Sequence, residues 1–122
     1  DLILSEHSTW KRIYLHRMKH SEICIASTGL HQSSGWKIAE YLAAGRAIVS
    51  EPLCYEVPGP FQAGENYLTY TSADGCIEQI RTLLAHPEQI LQMGQRNRAY
   101  YDEWLRPDQI VTKALEQAKI LL

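Results

Sequence analysis

A lysine and a glutamate stand one helical turn apart, just after a glycine, in a stretch suited to binding a phosphorylated sugar. Residues 35 to 50 indicate a glycine turn, a two-turn helix, a glycine stop at Gly45 and a short β-branched strand. A helix that starts after Gly35 has unpaired N–H groups and the positive end of its dipole at its N-terminus. Both favour the binding of a phosphate there. Lys37 adds a positive charge, and the Glu40 carboxylate can accept hydrogen bonds from sugar hydroxyls. Together these residues predict a nucleotide-sugar site.

The same helix also has a plainer interpretation as an ordinary surface helix. One side is apolar and is expected to pack on a sheet: Ile38, Ala39, Leu42 and Ala43. The other side is expected to face outward: Lys37, Glu40, Tyr41 and Ala44. Lys37 and Glu40 are then neighbours at i, i+3 and form a surface ion pair worth roughly a few tenths of a kcal/mol. Helix geometry alone favours this ion pair, because such pairs are common.

The stretch from Gly35 to Ser50 resembles the nucleotide-sugar-binding segment in the C-terminal lobe of GT-B-fold glycosyltransferases. It is most similar to the group-1-like branch that includes spore-maturation-type glycosyltransferases. In that family a glycine-bearing loop precedes a helix with the pattern Glu-x-x-Ala-x-Gly, matched here by Glu40, Ala43 and Gly45. Lys37 matches a basic residue that this branch often carries. The wider family has a second glutamate eight positions earlier, where this chain has the amide Gln32.

The resemblance covers about residues 14 to 105, including the strand at 21–25 and the loop at 61–67. It implies that residues 1–105 form a Rossmann-like nucleotide-sugar-binding lobe. It also implies that the chain is a fragment, and that an N-terminal acceptor-binding lobe is missing. Residues 106–122 would form a C-terminal helix that packs back or onto that missing lobe.

The activity implied by the resemblance is transfer of a sugar from a nucleotide-sugar to an unknown acceptor, of the hexosyltransferase type. The implied donor-binding residues are Gly29, Gln32, Ser34, Gly35, Lys37 and Glu40. Lys37 and the helix start would stabilise the charge on the leaving diphosphate, and Glu40 would hold the ribose. No metal or cofactor is implied, and no Asp-x-Asp pair is present to hold a metal. No catalytic residue is expected in this lobe, since a general base would come from the missing one, so the fragment alone should be inactive.

Composition limits the remaining classes of function. A chain of 122 residues, 45 % of them hydrophobic and 21 % charged, is ordinary for one globular domain. The net charge of −2 gives no electrostatic reason to expect a nucleic-acid partner. No apolar run of membrane-spanning length and no export signal are visible. Three cysteines without a Cys-x-x-Cys pair argue against a disulfide framework or a zinc site, and they fit a cytoplasmic location.

The order of helical and extended patterns predicts an α/β fold: a Rossmann-like parallel sheet with helices on both faces. Strands are expected at 23–27, 47–50 and 67–71, with a further strand at the first four residues. Helices are expected at 10–19, at 36–44, from about 73, from Pro87 to about 104, and from Pro107. The 51–66 stretch is a long loop of the kind that tends to be functional. Ligands of such sheets bind at the carboxyl ends of the strands.

Several other polar residues are predicted to have ordinary structural roles. Ser33 and Ser34 are expected to cap the motif helix, and His31 to be a solvated loop residue. Arg96 and Arg98 are expected on a solvated helix face with Gln and Asn neighbours.

Two further hypotheses stay open at this stage. The first is a non-catalytic Rossmann-like binding or interaction module that has kept the fold and lost its site, which the amide at Gln32 and a Lys37–Glu40 surface ion pair favour. It differs from the transferase in whether Lys37 and Glu40 face a cleft or only each other. The second concerns the apolar stripe of the last helix. That stripe is expected either to fold back on the domain or to pair two copies as a homodimer.

Overall fold

The computed structural model describes residues 6–121, and its centre is a parallel sheet of three strands in the order β1-β2-β3. The strands are β1 (Ile23–Ala26), β2 (Ala47–Ser50) and β3 (Leu68–Thr69). In β1 and β2 the register pairs Ile23 with Ala47 and Ala26 with Ser50. The strand expected at the first four residues lies outside the described residues. All three carboxyl ends reach the same edge of the sheet.

Five α-helices accompany the sheet within the described residues: α1 (Lys11–His20), α2 (Trp36–Ala43), α3 (Ala73–Ala85), α4 (Pro87–Tyr100) and α5 (Pro107–Leu121). Two short 3₁₀ turns (Glu6–Thr9 and Leu30–Gln32) and a π-helical turn (Tyr101–Leu105) complete the elements. The expected helices are all present, with ends shifted by a few residues. The long loop at 51–66 is also present, closed by an isolated bridge between Ala63 and Tyr67.

Helices cover both faces of the sheet. Alternate strand residues divide between two cores, because side chains of a strand point to opposite faces in turn. One core gathers the strand residues Cys24, Ala26 and Ile48 with Met18 of α1 and Leu42 of α2. The other core joins Ala47 and Val49 of β2 to Leu83 of α3 and Met93 of α4. The predicted α/β fold, a parallel sheet with helices on both faces, is confirmed.

Local signals set the starts of α3 and α4. The Ser72 hydroxyl accepts a hydrogen bond from the Gly75 backbone N–H at 3.0 Å and caps α3, a role for which the sequence offers Ser72 or Asp74. Pro87 occupies the first turn of α4, where its missing N–H costs no hydrogen bond. The inward face of α3 differs from expectation. The sequence predicts that Ile77, Ile80, Leu83 and Leu84 form this face. In the structure Ile77 and Leu84 are exposed, and Cys76 contacts the core with Ile80 and Leu83.

A buried amide on α4 joins three parts of the chain. Asn97 is fully buried, and its Nδ2 donates to the carbonyl oxygens of Arg46 and Asn66 at 2.8 Å and 2.9 Å. Its Oδ1 accepts a 3.2 Å bond from Asn66 Nδ2. Arg96 and Arg98 are exposed, as the sequence predicts, but their neighbour Asn97 points inward between them. The three bonds fix α4 against the turn before β2 and the loop before β3.

Two glycines let α4 approach that turn. A Cβ atom on Gly94 would lie 2.5 Å from the Gly45 carbonyl oxygen, closer than any side chain tolerates. Gly45 itself has φ of 64°, a left-handed conformation that glycine adopts without strain. The glycine stop after α2 therefore ends the helix and also makes the contact surface for α4.

Replacing Asn97 by alanine should destabilise the domain by about 2–4 kcal/mol, because the buried Arg46 and Asn66 carbonyl oxygens lose their donor. Urea unfolding followed by circular dichroism measures the change. Gln92→Ala on the exposed side of α4 is the matched control and should change the free energy of unfolding by less than about 0.5 kcal/mol. Equal stability of the two variants would show that the buried amide is dispensable.

The stripe of α5 does not fold back on the domain. Its apolar side chains are 47–87 % exposed: Ile110, Val111, Leu115, Ile120 and Leu121. No described residue of α5 is buried. The helix is held mainly at the π-helical turn, where the Lys113 ammonium lies 4.2 Å from the centre of the Trp104 ring. Folding back is therefore wrong for residues 107–121, whereas packing onto the missing lobe and pairing of two copies stay predictions.

If the stripe pairs two copies, Val111→Lys with Leu115→Lys should convert a dimer to a monomer, because charge replaces the centre of the apolar surface. Analytical ultracentrifugation over a concentration series measures the mass. Thr112→Lys with Glu116→Lys has the same spacing on the neighbouring polar side and should leave the dimer intact. A parent chain that sediments as a monomer at all concentrations would reject the pairing.

Candidate functional site

The start of α2 has no side-chain cap. Gly35 precedes the helix with φ of 65° and ψ of 151°, and no side chain bonds to the first backbone N–H groups. The expected capping by Ser33 or Ser34 is therefore wrong. The reason is geometric: the cap position belongs to Gly35, and the serines lie before it. Unpaired N–H groups and the positive end of the dipole remain at this point, as an anion site requires.

Lys37 and Glu40 of α2 line one cavity and do not form an ion pair with each other. The cavity has a volume of about 680 Å³ and lies between α1, β1 and α2. The described ion pairs join other residues, so the surface ion pair expected from helix geometry is wrong. The two side chains share a cleft because α1 packs beside the face of α2 that carries them. They thus present a cation and a carboxylate to the same space.

Tyr41 shows why that face is not simply solvated. The sequence places it outward with Lys37 and Glu40, but its side chain is buried, and its hydroxyl donates to the Ile25 carbonyl oxygen at 3.2 Å. Ala39, expected inward, is exposed. The helix is rotated so that Ile38, Tyr41 and Leu42 form the core side. Glu40 consequently sits at the border of the core, where it is half-buried.

The Tyr14 hydroxyl of α1 lies against Glu40 from across the cavity. Its oxygen is inaccessible to solvent and makes no hydrogen bond of good geometry with the described residues. Burial raises the pKa of Tyr14, and the adjacent Glu40 carboxylate and Tyr41 hydroxyl raise it further. The phenol is therefore protonated at every physiological pH and can act as a donor. A small rotation would direct it to the Glu40 carboxylate and fix the orientation of that group.

The loop between β1 and α2 holds the other predicted site residues. Gly29 N–H donates to the Ser33 carbonyl oxygen at 2.8 Å, and its carbonyl oxygen accepts from Gln32 N–H at 3.0 Å. His31 and Gln32 both have positive φ, 54° and 60°, a conformation uncommon outside glycine. The Tyr55 hydroxyl donates to the His31 carbonyl oxygen at 3.1 Å and ties this loop to the long 51–66 loop.

The six predicted donor-binding residues thus fall into two groups. Lys37 and Glu40 line the cavity beside β1. The other four precede α2 in the loop and do not line that cavity: Gly29, Gln32, Ser34 and Gly35. The loop group ends at Gly35, directly before α2, and the cavity group lies within the first five residues of that helix.

Sequence reasoning missed a carboxylate at the carboxyl edge of the sheet. Glu51 follows β2 directly, and its Oε2 accepts from the Thr28 backbone N–H at 2.7 Å and the Thr28 hydroxyl at 2.9 Å. These two bonds lower the pKa of Glu51. Nearby, the Tyr70 hydroxyl after β3 donates to the Ala26 carbonyl oxygen at 3.0 Å. The position of Glu51 one residue past a strand was the available signal, since all strand ends share this edge.

A second cavity, of about 650 Å³, lies beside α4. Its two arginines are already committed. Arg46 donates to the carbonyl oxygens of Ala44 and Ser21, and Arg98 bonds the Ala43 carbonyl oxygen and Asp102. This cavity offers no unengaged arginine for an anionic ligand.

The Thr28–Glu51 bond predicts a measurable titration. The lowered pKa means that the bond stabilises the fold above the ordinary glutamate pKa of 4.5 and loses its effect as the pH falls through the lowered value. Thr28→Val removes one of the two donors and should raise the pKa of Glu51 toward 4.5. Carbon-detected NMR of the carboxyl group measures it. Thr71→Val, also at this edge but not a donor to Glu51, should leave the titration unchanged. An unchanged curve in Thr28→Val would contradict this account.

Within residues 6–121 no cluster of three or more His, Cys, Asp and Glu side chains is placed to hold a metal ion. Over the same residues, no helix has both the length and the apolar character needed to cross a membrane.

Comparison with known proteins places the chain in a family. No curated protein and no solved structure gives a significant match. A family model described as glycosyl transferase-like matches residues 5–116, which span the sheet, the cavity and the loop before α2. The match includes the motif from Gly35 to Gly45 on which the resemblance to glycosyltransferases was based. The chain therefore belongs to the glycosyl transferase-like family.

Proposed function

We propose that this domain is the donor-binding lobe of a glycosyltransferase that moves a sugar from a nucleotide-sugar to an acceptor. Family membership supports a transferase domain. One observation carries the finer proposal: Lys37 and Glu40 line the same cavity beside the uncapped start of α2, without pairing to each other. A nucleoside diphosphate has matching groups, since its diphosphate is anionic and its ribose carries two neighbouring hydroxyls.

The diphosphate is the leaving group of such a reaction and gains negative charge as the sugar departs. Lys37 is an exposed residue of the first turn of α2 and lines the cavity, and the first N–H groups of α2 are free of side-chain caps. Positive groups already in place stabilise developing charge without reorganising during the reaction. Lys37 and the helix start would take this role. No metal ion is part of the proposal.

Glu40 would hold the ribose through hydrogen bonds from its hydroxyls. Hydrogen bonds to a charged carboxylate are stronger than those between neutral groups. Tyr14 would support this role, because its buried hydroxyl lies near the carboxylate and has a donor to offer it.

Gly29, Gln32, Ser34 and Gly35 would contact the far side of the diphosphate and the donor sugar from the loop before α2. Their loop adjoins the helix start, and its Gln32 is held in a left-handed conformation. The acceptor and a general base would come from a further lobe of the enzyme. The closer likeness to spore-maturation-type enzymes and the hexosyltransferase type stay predictions.

A second candidate function is a binding module of the same family that has lost transfer activity. Gln32 favours it, since the amide replaces a carboxylate expected from the resemblance. The transferase predicts nucleotide binding at Lys37 and Glu40, whereas a module that has lost the site predicts none there. Only the transferase predicts that a nucleotide-sugar is consumed when an acceptor-binding lobe is present.

Titration with UDP or GDP should shift the amide NMR signals of Gly29, of residues 35–37 and of Glu40, because the ligand covers the helix start. Glu40→Ala should weaken nucleotide binding by roughly 1.5–3 kcal/mol, the value of a charged hydrogen bond. Calorimetry measures the affinity, and Glu78→Ala on the exposed side of α3 is the control. Saturating nucleotide that moves none of these amides would remove the proposal's main support.

Lys37→Ala separates the phosphate role from the ribose role. It should weaken binding of UDP and GDP and flatten the salt dependence of that binding, because the lost contact is electrostatic. It should leave the affinity for uncharged uridine or guanosine nearly unchanged. Lys19→Ala, an exposed lysine at the end of α1 that does not line the cavity, is the matched control. Equal losses for nucleotide and nucleoside would argue that Lys37 acts through the fold.

A further inference from the structure

Two of the five α-helices described for residues 6–121 begin with positive charge. Lys11 and Arg12 start α1, Lys37 lies in the first turn of α2, and neither first turn holds an acidic residue. The positive end of a helix dipole lies at this position, so cations there destabilise the helix and acids stabilise it. Each of the other three helices has an acidic residue in its first turn: Asp74, Glu88 and Asp108. Helix stability therefore does not explain the charge at the starts of α1 and α2.

The helices α1 and α2 run side by side in the same direction. Two residues separate the end of α1 from β1, and three separate the end of α2 from β2. Because β1 and β2 are parallel, both helices end at the amino edge of the sheet and begin at its carboxyl edge. Both also pack on the same face, since Met18 of α1 and Leu42 of α2 belong to one core. The starts of the two helices are therefore neighbours at the carboxyl edge.

A contact between the two helices shows which residues lie at the same level. Tyr14 of α1 lies beside Glu40 of α2. Lys11 stands three residues before Tyr14, and Lys37 stands three residues before Glu40, so each lysine lies one turn nearer the carboxyl edge. Both lysines are exposed and line the same cavity. Neither forms an ion pair with another of residues 6–121. Two ammonium groups from neighbouring helices thus border one space without a paired carboxylate.

The charges around this cavity favour a ligand with more than one negative charge. Among the described residues that line it, Lys11, Arg17 and Lys37 are cationic and only Glu40 is acidic. Like charges that border one space repel each other when it holds only water, and an anion between them replaces repulsion by attraction. A diphosphate carries its charges on two adjacent groups, so two ammonium groups can bind it at once. A neutral sugar offers no charge to either lysine.

We propose that Lys11 is a second phosphate-binding residue of this site and that it holds the diphosphate of the nucleotide together with Lys37. The inference rests on the proposed function and extends it, because that function assigns the diphosphate only to α2 and to the loop before it. The ligand would then connect α1 to α2 through its phosphates, in addition to the contact between Tyr14 and Glu40.

The test measures the affinities of Lys11→Gln and Lys11→Arg by calorimetry. Glutamine removes the charge, so the affinities for UDP, GDP and inorganic diphosphate should each fall by about 5- to 50-fold. The salt dependence of binding should become flatter, because one electrostatic contact is lost. Arginine keeps the charge and should keep most of the affinity. Uridine and guanosine carry no phosphate and should bind all three proteins equally.

Arg12→Gln is the matched control. Arg12 is the next residue of the same first turn and is exposed, but it does not line the cavity. This variant should bind UDP and inorganic diphosphate as the parent does. Without ligand, Lys11→Gln and Arg12→Gln should both melt no lower than the parent, because each removes a cation from the positive end of the α1 dipole.

Four outcomes would overturn the inference. Equal affinity of Lys11→Gln and the parent for UDP and inorganic diphosphate would remove Lys11 from the site and leave the proposed function intact. An equal loss in Arg12→Gln would show an effect of the overall charge of α1 and no contact by Lys11. A lower melting temperature of Lys11→Gln with an equal loss for uridine would show that Lys11 acts through the fold. A parent chain that binds no nucleotide at saturating concentration would overturn the proposed function as well.

Discussion

The hydrogen bonds of the Asn97 side chain are the constraint on which the rest of the arrangement depends. A single buried amide satisfies the carbonyl oxygens of Arg46 and Asn66, which begin the approach to β2 and to β3. Both strands are short, so their few ladder bonds would fix their positions only weakly. Buried polar groups that are fully bonded in this way favour one arrangement over similar ones, because each alternative leaves a donor or acceptor unpaired. The same hydrogen bonds therefore help to fix the sheet edge from which the loops of the candidate site extend.

Contacts at both of its ends fix the position of α2. Its C-terminal end passes into Gly45, whose backbone contacts Gly94 of α4. Its N-terminal end follows the 28–35 loop, which Glu51 holds at Thr28 and Tyr55 holds at the His31 carbonyl. A helix of eight residues has little stability of its own, since its nucleation cost is spread over few bonds. Tertiary contacts at both ends therefore determine where Lys37 and Glu40 stand.

The site keeps features that cost stability. The first N–H groups of α2 have no cap, two successive residues of the preceding loop have positive φ, and an indole stands in water. Each would be removed by a simple substitution if stability alone mattered, such as a serine at the cap position. Their concentration around one helix turn fits a surface completed by a ligand. The Asn97 region, in contrast, is fully bonded.

The sequence by itself determined the helices, the parallel order of elements and the motif that gave the family. These depend on local periodicity, on Ser72 and Pro87 at helix starts and on glycine stops, all of which act over a few residues. Only the tertiary structure decided that Tyr41 is buried, that Asn97 points inward, that Thr28 binds Glu51 and that Trp36 joins Lys37 at one cavity. The physical reason is that burial and pairing of a side chain depend on what packs beside it. The hydrogen-bond partners of these residues lie 16 to 51 residues away in the chain, as Tyr41–Ile25 and Arg46–Asn97 show.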